Sequence, residues 1–121
     1  MAISATIRPM NSLVFVSDPS GGRVPDWIRD KLILSTSSCI SVGCYPEQDG
    51  ETEVILGNAE DIDPGQLLAF EGELDTPNRA VMVSTVEHVK ILELKVPEMR
   101  THVRIWVSHP QWPDKVVIGL G

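Results

Sequence analysis

The chain has 121 residues, 42% of them hydrophobic and 22% charged, with a formal net charge of −7. A chain of that size makes one domain, residues 1–121, and can bury a core without metal or disulfide staples. The acid excess argues against nucleic acid or an anionic membrane as a direct partner.

The charge is unevenly placed along the chain. Between Lys31 and Arg79 there is no Lys, Arg or His, while ten acids fall in that span: Glu47, Asp49, Glu51, Glu53, Glu60, Asp61, Asp63, Glu71, Glu73 and Asp75. Such a concentration suits a basic protein partner or a cation, and equally a solvated face. Nine Gly and nine Pro punctuate the chain into short segments, which favours β architecture over a helical bundle.

In chain order, the N-terminal MAISATIRPMNSL lacks a basic region followed by a long apolar core, so it does not read as a secretory signal. Ile3 to Ile7 alternates weakly as a short strand, stopped by Arg8-Pro9. Leu13 to Val16 is a continuous apolar run suited to a strand buried on both faces. Asp18-Pro-Ser-Gly-Gly22 is a loop without the GxxxxGK[ST] pattern of a phosphate cradle. Residues 25–31 form the one helix candidate, with Pro25 at its first position and Asp26 at the positive end of its dipole. Trp27 is expected to pack over an open edge or end of the sheets, and Leu32 to Leu34 to lead into the next strand.

Ser37 to Gly57 carries the strongest local signal. Ile40, Val42 and Cys44 alternate with Cys39, Ser41 and Gly43. After Asp49-Gly50, Thr52, Val54 and Leu56 alternate with Glu53, Ile55 and Gly57. Asp-Gly between two such runs predicts a β-hairpin, because Gly accepts the positive φ of the turn. Cys39 and Cys44, five residues apart on one strand, face opposite sides roughly 16 Å apart. That exceeds the ~7 Å limit for a disulfide, and two free thiols fit a reducing compartment. No apolar run approaches the ~20 residues of a membrane span, so the chain reads as cytosolic.

Asn58 to Gly65 is a polar loop. Gln66 to Leu74 alternates, with Leu68, Phe70 and Leu74 on one side and Glu71 and Glu73 on the other. Asp75 to Arg79 is a turn. Ala80 to Val86 and Val89 to Val96 are strands, and the second shifts phase between Ile91 and Leu92, as at a bulge or in a strand buried on both sides. After a turn at Pro97 to Arg100, Thr101 to Val107 sets Val103, Ile105 and Val107 against His102, Arg104 and Trp106. Ser108 to Asp114 is a two-proline loop and Lys115 to Leu120 a closing strand. The sum is an all-β, antiparallel β-sandwich of seven to eight strands with one short helix.

Chemistry-bearing patterns are sparse. His88, His102 and His109 lie in or beside strands and loops without a nucleophile context, and G-x-S-x-G is absent. The expectation is therefore a protein that is not an enzyme and uses no cofactor. Cys39 and Cys44, on opposite faces, do not cluster for zinc. Glu60, Asp61 and Asp63 offer three carboxylates from one loop, which makes a calcium- or small-ligand-binding sandwich the alternative. Glu51 with Glu53, and Glu71 with Glu73, share strand faces and are candidates for contacting a basic partner. Trp112, between two prolines, is the candidate aromatic anchor, since one Trp ring buries a large area at small entropic cost.

From about Leu13 to Leu120 the chain resembles the competence protein J family. The resemblance rests on Val14-Phe15-Val16, on Asp26-Trp27, on Ile40-Ser41-Val42 and on Ile91 to Val96 followed by Pro97. It continues in the strand ending Trp106-Val107 and in the closing aliphatic strand. It implies a small cytosolic inhibitor of a DNA-entry nuclease, or a similar immunity protein against a toxin, whose partner is a basic protein.

Overall fold

The computed structural model describes residues 2–63 and 67–121. Pro64, Gly65 and Gln66, assigned from sequence to a loop and a strand start, lie outside the described residues. Ten strands are present among the described residues: β1 (Ala2–Ile7), β2 (Leu13–Ser17), β3 (Ile33–Ser35), β4 (Cys39–Gly43), β5 (Thr52–Asn58), β6 (Leu67–Asp75), β7 (Ala80–Thr85), β8 (Lys90–Lys95), β9 (Arg100–Val107) and β10 (Lys115–Leu120). They form two five-stranded sheets, β1-β5-β10-β9-β6 and β3-β4-β2-β7-β8. The result is a β-sandwich in which every pairing is antiparallel except β5 with β10. The strand count exceeds the sequence expectation because β1 and the three-residue β3 both pair. No helix among the described residues is long and apolar enough to cross a membrane.

The core follows the period-two pattern. Val54 and Leu56, Val103 and Ile105, and Val116 and Ile118 point inward from one sheet; Val14 and Val16, Ile40 and Val42, and Val81 and Val83 do so from the other, all fully buried. Each such side chain contributes about 1.5–3 kcal/mol over its exposed state. The bulge expected in the eighth strand is present: Val83 pairs with Leu92 and Ser84 with Lys90, skipping Ile91. Cys39 and Cys44 are both buried and free, and only Cys44 joins the core cluster with Ile40 and Val42. Burial pushes the Cys39 thiol up to about 11 and the Cys44 thiol up to about 12.

Three sequence expectations are corrected. First, Ser37 to Gly57 is not a hairpin, because β4 and β5 belong to different sheets. Alternation identifies the buried face of each strand and not its neighbour. The connecting segment crosses the ~10 Å between packed sheets. Gly50 does not take a positive φ; instead Asp49 and Gly50 donate backbone N–H groups to the Pro46 carbonyl.

Second, residues 25–31 are not a helix. The two helical elements among the described residues are 3-10 turns, Met10–Ser12 and Ala59–Asp61. A two-turn helix needs tertiary burial to survive, and here Val24, Trp27 and Ile28 are all exposed. The chain runs as a strap instead, tied at one end by Arg23 to Ser38 and Thr36. At the other end the Leu32 carbonyl accepts from Gly43 N–H.

Third, Leu68 does not share a face with Phe70. The pairing of β6 with β9 shifts between Leu68 and Phe70, so Leu68 lies opposite Trp106 and Phe70 opposite Ile105. Phe70 packs against the core, while Leu68 is half exposed.

Asp18 fastens the end of the sandwich where β2 leaves the sheet. Its carboxylate, almost completely buried, accepts from Ser20 N–H at 2.9 Å and Ser20 Oγ at 2.6 Å. It also accepts from Asn78 N–H at 2.8 Å and Asn78 Nδ2 at 2.7 Å. Burial alone would raise this carboxyl, but the four donors hold it below the usual carboxylate range.

Candidate protein-interaction surface

The acids expected to face a partner stand on one sheet, but not as one patch. β5 and β6 are separated by β10 and β9, roughly 14 Å at strand spacing. Glu53 sits opposite Lys115, and Glu51 is exposed just ahead of β5. Glu71, Glu73 and Asp75 alternate along the outer face of β6. The antiparallel register sets them opposite Arg104, His102 and Arg100 of β9.

These charges form a ladder. His102 Nε2 lies 2.8 Å from Glu71 Oε2, and Arg104 Nε donates to the same oxygen at 3.2 Å. His102 Nδ1 lies 3.5 Å from Glu73 Oε1, and Arg100 Nε 3.6 Å from Asp75 Oδ1. Hydrogen bonds from His102 and then Arg104 hold the Glu71 carboxyl below its ordinary range. Three acids of the stretch without bases between Lys31 and Arg79 thus meet Arg100, His102 and Arg104 in space, brought by a strand far along the chain. All these side chains are substantially solvated, so the ladder orders a surface more than it stabilises the fold.

The end of the sandwich where β9 stops and β10 starts gathers exposed apolar side chains beside Arg29, Asp30 and Lys31. Trp27 is 72% exposed and Trp112 54%, and both line a cleft of about 420 Å3 with Ile28, Leu32 and Pro110. An adjoining depression shares Leu32 and Pro110 and is lined by Leu67, Leu68 and Val107. Five of the exposed large hydrophobic side chains, Trp27, Ile28, Leu67, Leu68 and Trp112, therefore gather at one end. A contiguous exposed apolar surface of this kind marks an interaction site far more than single exposed residues do.

Trp112 is held in place by its own loop. Gln111 and Trp112 donate backbone N–H groups to His109 Nδ1 at 3.1 and 3.0 Å. Ser108 Oγ donates to Asp114 Oδ1 at 2.8 Å and accepts from the N–H groups of Asp114 and Lys115. Trp27 stands at an end of the sheets, as expected, but on the strap that replaces the helix, where it lines the cleft and stays exposed instead of packing down. Trp106, on the outer face, instead lies over Gly119, where an added Cβ would come within 3.0 Å of its ring and 2.8 Å of Ile62.

Leu67, Leu68 and Ile28 were not singled out from sequence. The signal for Leu67 and Leu68 was two leucines in succession where strict alternation calls for one. Residues that cannot both face inward leave one outside.

Among the described residues the carboxylates of the loop after β5 do not group as a metal site. Ala59–Asp61 is one 3-10 turn, with Glu60 lining a separate hollow of about 630 Å3 and Asp61 accepting from Asn58 Nδ2 at 3.4 Å. Among the described residues no three His, Cys, Asp or Glu side chains group to hold a metal ion. The hollow, at the opposite end of β9, mixes Glu60, Glu73 and Glu98 with Arg100 and His102.

No protein-family model matches the sequence, and no curated protein matches it. Solved structures do match in fold. One is ComJ of Bacillus subtilis, described as an inhibitor of the DNA degrading activity of NucA. It superposes with a TM-score of 0.68 at 11% identity, over 98% of this chain and 93% of that one. Another, described as crocagin biosynthetic gene J, gives a TM-score of 0.52 at 12% identity over 98% and 94%. The chain thus shares the fold of ComJ over nearly the whole length.

Proposed function

We propose that this protein is a non-enzymatic, cytosolic binding module that inhibits a basic partner, a nuclease or a toxin. The observation that carries the reading is the apolar end built by Trp27, Ile28, Trp112, Leu67 and Leu68, on a fold shared with a nuclease inhibitor. Trp side chains in such a patch are the usual anchors of a protein interface. The net charge of −7 supplies long-range attraction to a protein that keeps a basic cleft for phosphates. Glu51, Glu53, Glu71 and Glu73 act at the rim, where charge governs the rate of encounter, and Trp112 acts at the centre, where burial governs lifetime.

The test is capture on the immobilised chain from a lysate of its host, with DNA degradation assayed before and after the complex is dissociated. A bound protein is expected whose nuclease or toxin activity appears only on dissociation. Captured proteins that are acidic, or equally active before and after release, would end this reading.

A further inference from the structure

We infer that the partner docks by adding an extended segment, alternating basic and apolar residues, to the open edge of β6; the inference rests on the binding-module reading above. β6 is nine residues long and, among the described residues, pairs only with β9. Among the described residues its outward edge makes one backbone hydrogen bond, from Asp75 N–H to the Ser37 carbonyl at 2.8 Å. That bond fixes the phase of the strand. If Asp75 points its backbone N–H away from β9, then Glu73 and Glu71, two and four residues back, point theirs the same way. Both residues are exposed. An unpaired row of N–H and C=O groups is a template for another strand.

Chemistry on the two faces of that edge selects the occupant. On the outer face, residues of an added strand would lie beside Glu71 and Glu73, whose other flank already carries Arg104 and His102. Lys or Arg there continues the alternation of charge across the sheet, while acids would meet like charge. On the inner face, side chains would enter the depression between β6 and β3, lined by Leu32, Ile33, Leu67 and Pro110. A second copy of this chain is a poor occupant. Antiparallel pairing of two β6 edges about Gly72 sets Glu71 of each against Glu73 of the other. The same carboxylates that repel a copy attract a basic segment.

The experiment uses the full chain and a blocked nine-residue peptide of alternating Lys and Val. Two control peptides carry Glu in place of Lys, or N-methyl groups on every second residue. Hydrogen exchange at the Glu71 and Glu73 amides should slow at least about tenfold on adding the Lys-Val peptide, as main-chain pairing requires. Both controls should bind at least about tenfold more weakly. Glu73→Pro removes an N–H that faces the open edge and no ladder bond, so it should weaken the peptide while β9 stays paired. Should that variant not fold, the N-methylated peptide on the parent chain decides. Unchanged exchange at both amides under saturating peptide, or equal binding of the N-methylated form, overturns the inference. So does a dimer of the parent chain that Glu73→Pro dissolves. A captured nuclease inhibited as well by Glu73→Pro as by the parent sinks the edge mechanism alone, whereas capture of no basic enzyme by either sinks the binding-module reading.

Discussion

Trp27 and Trp112, at opposite ends of the sequence, line the same cleft and are both more than half exposed. Each ring is therefore cheap to remove from the free protein and costly to remove from a complex. Trp112→Ala and Trp27→Ala should each change stability by less than about 0.5 kcal/mol. Each should speed release of the partner by roughly thirtyfold, the effect of losing about 2 kcal/mol at an anchor. Thermal melts and dissociation rates on the same samples check both halves. A large loss of melting temperature with unchanged release would mean that the rings serve the fold.

Charge reversal on β6 should act on encounter. Glu71→Lys with Glu73→Lys puts cations against Arg104 and His102 and removes the attraction to a basic surface. Association should slow by about tenfold at low salt and by much less at high salt, as rim charges do. An association rate that ignores ionic strength in the parent chain would show that the acids only solvate the surface.

Acid stability should depend on Asp18. Its folded-state carboxyl is held below the ordinary range by Ser20 and Asn78 against the cost of burial. The sign follows from linkage: stability from this group is fully present above the unfolded value of about 3.9 and is lost as pH falls through the lower folded value. Asp18→Asn keeps the shape but opposes donors to donors, and should cost about 1–3 kcal/mol at neutral pH. It should also flatten the loss of stability between pH 4 and more acid values. Denaturant melts of both proteins at pH 7 and pH 3 measure this; a parallel loss in the two would assign the acid sensitivity elsewhere.

Much of the sandwich is legible in the sequence, and the misses have one physical origin. Val103, Ile105 and Val107 alternate with His102, Arg104 and Trp106 in the sequence as they do in the strand, where the first set is buried, because period two is a property of the strand alone. Strand partners are a property of the whole chain. Asp49-Gly50 therefore read as a hairpin although β4 and β5 lie in opposite sheets. For the same reason the acids of β6 look unaccompanied in the sequence although β9 sets His102 and Arg104 beside them. At the candidate site, Trp112 was visible from its two-proline loop. Its company was not, since Trp27 arrives on a strap that local propensity writes as a helix and Leu68 is turned outward by a bulge.

The thiols offer a check on the core. Cys39 and Cys44 are buried and unbonded, with thiols pushed up to about 11 and about 12. Neither should react with iodoacetamide at pH 8 in the native protein, and both should react once it is unfolded, because the thiolate is the reactive form. Mass spectrometry without reductant reads the outcome. A native disulfide between them would contradict the β4 strand.

Hydrogen exchange of the chain alone and in complex with its captured basic partner tests whether the Trp27–Trp112 end and the neighbouring β6 form the working surface. Protection should appear in the Ser108–Asp114 loop, in the strap 24–31 and along Leu67 to Glu73, with the β7 and β8 amides unchanged. Protection confined to β7 and β8, or spread evenly over both sheets, would contradict it.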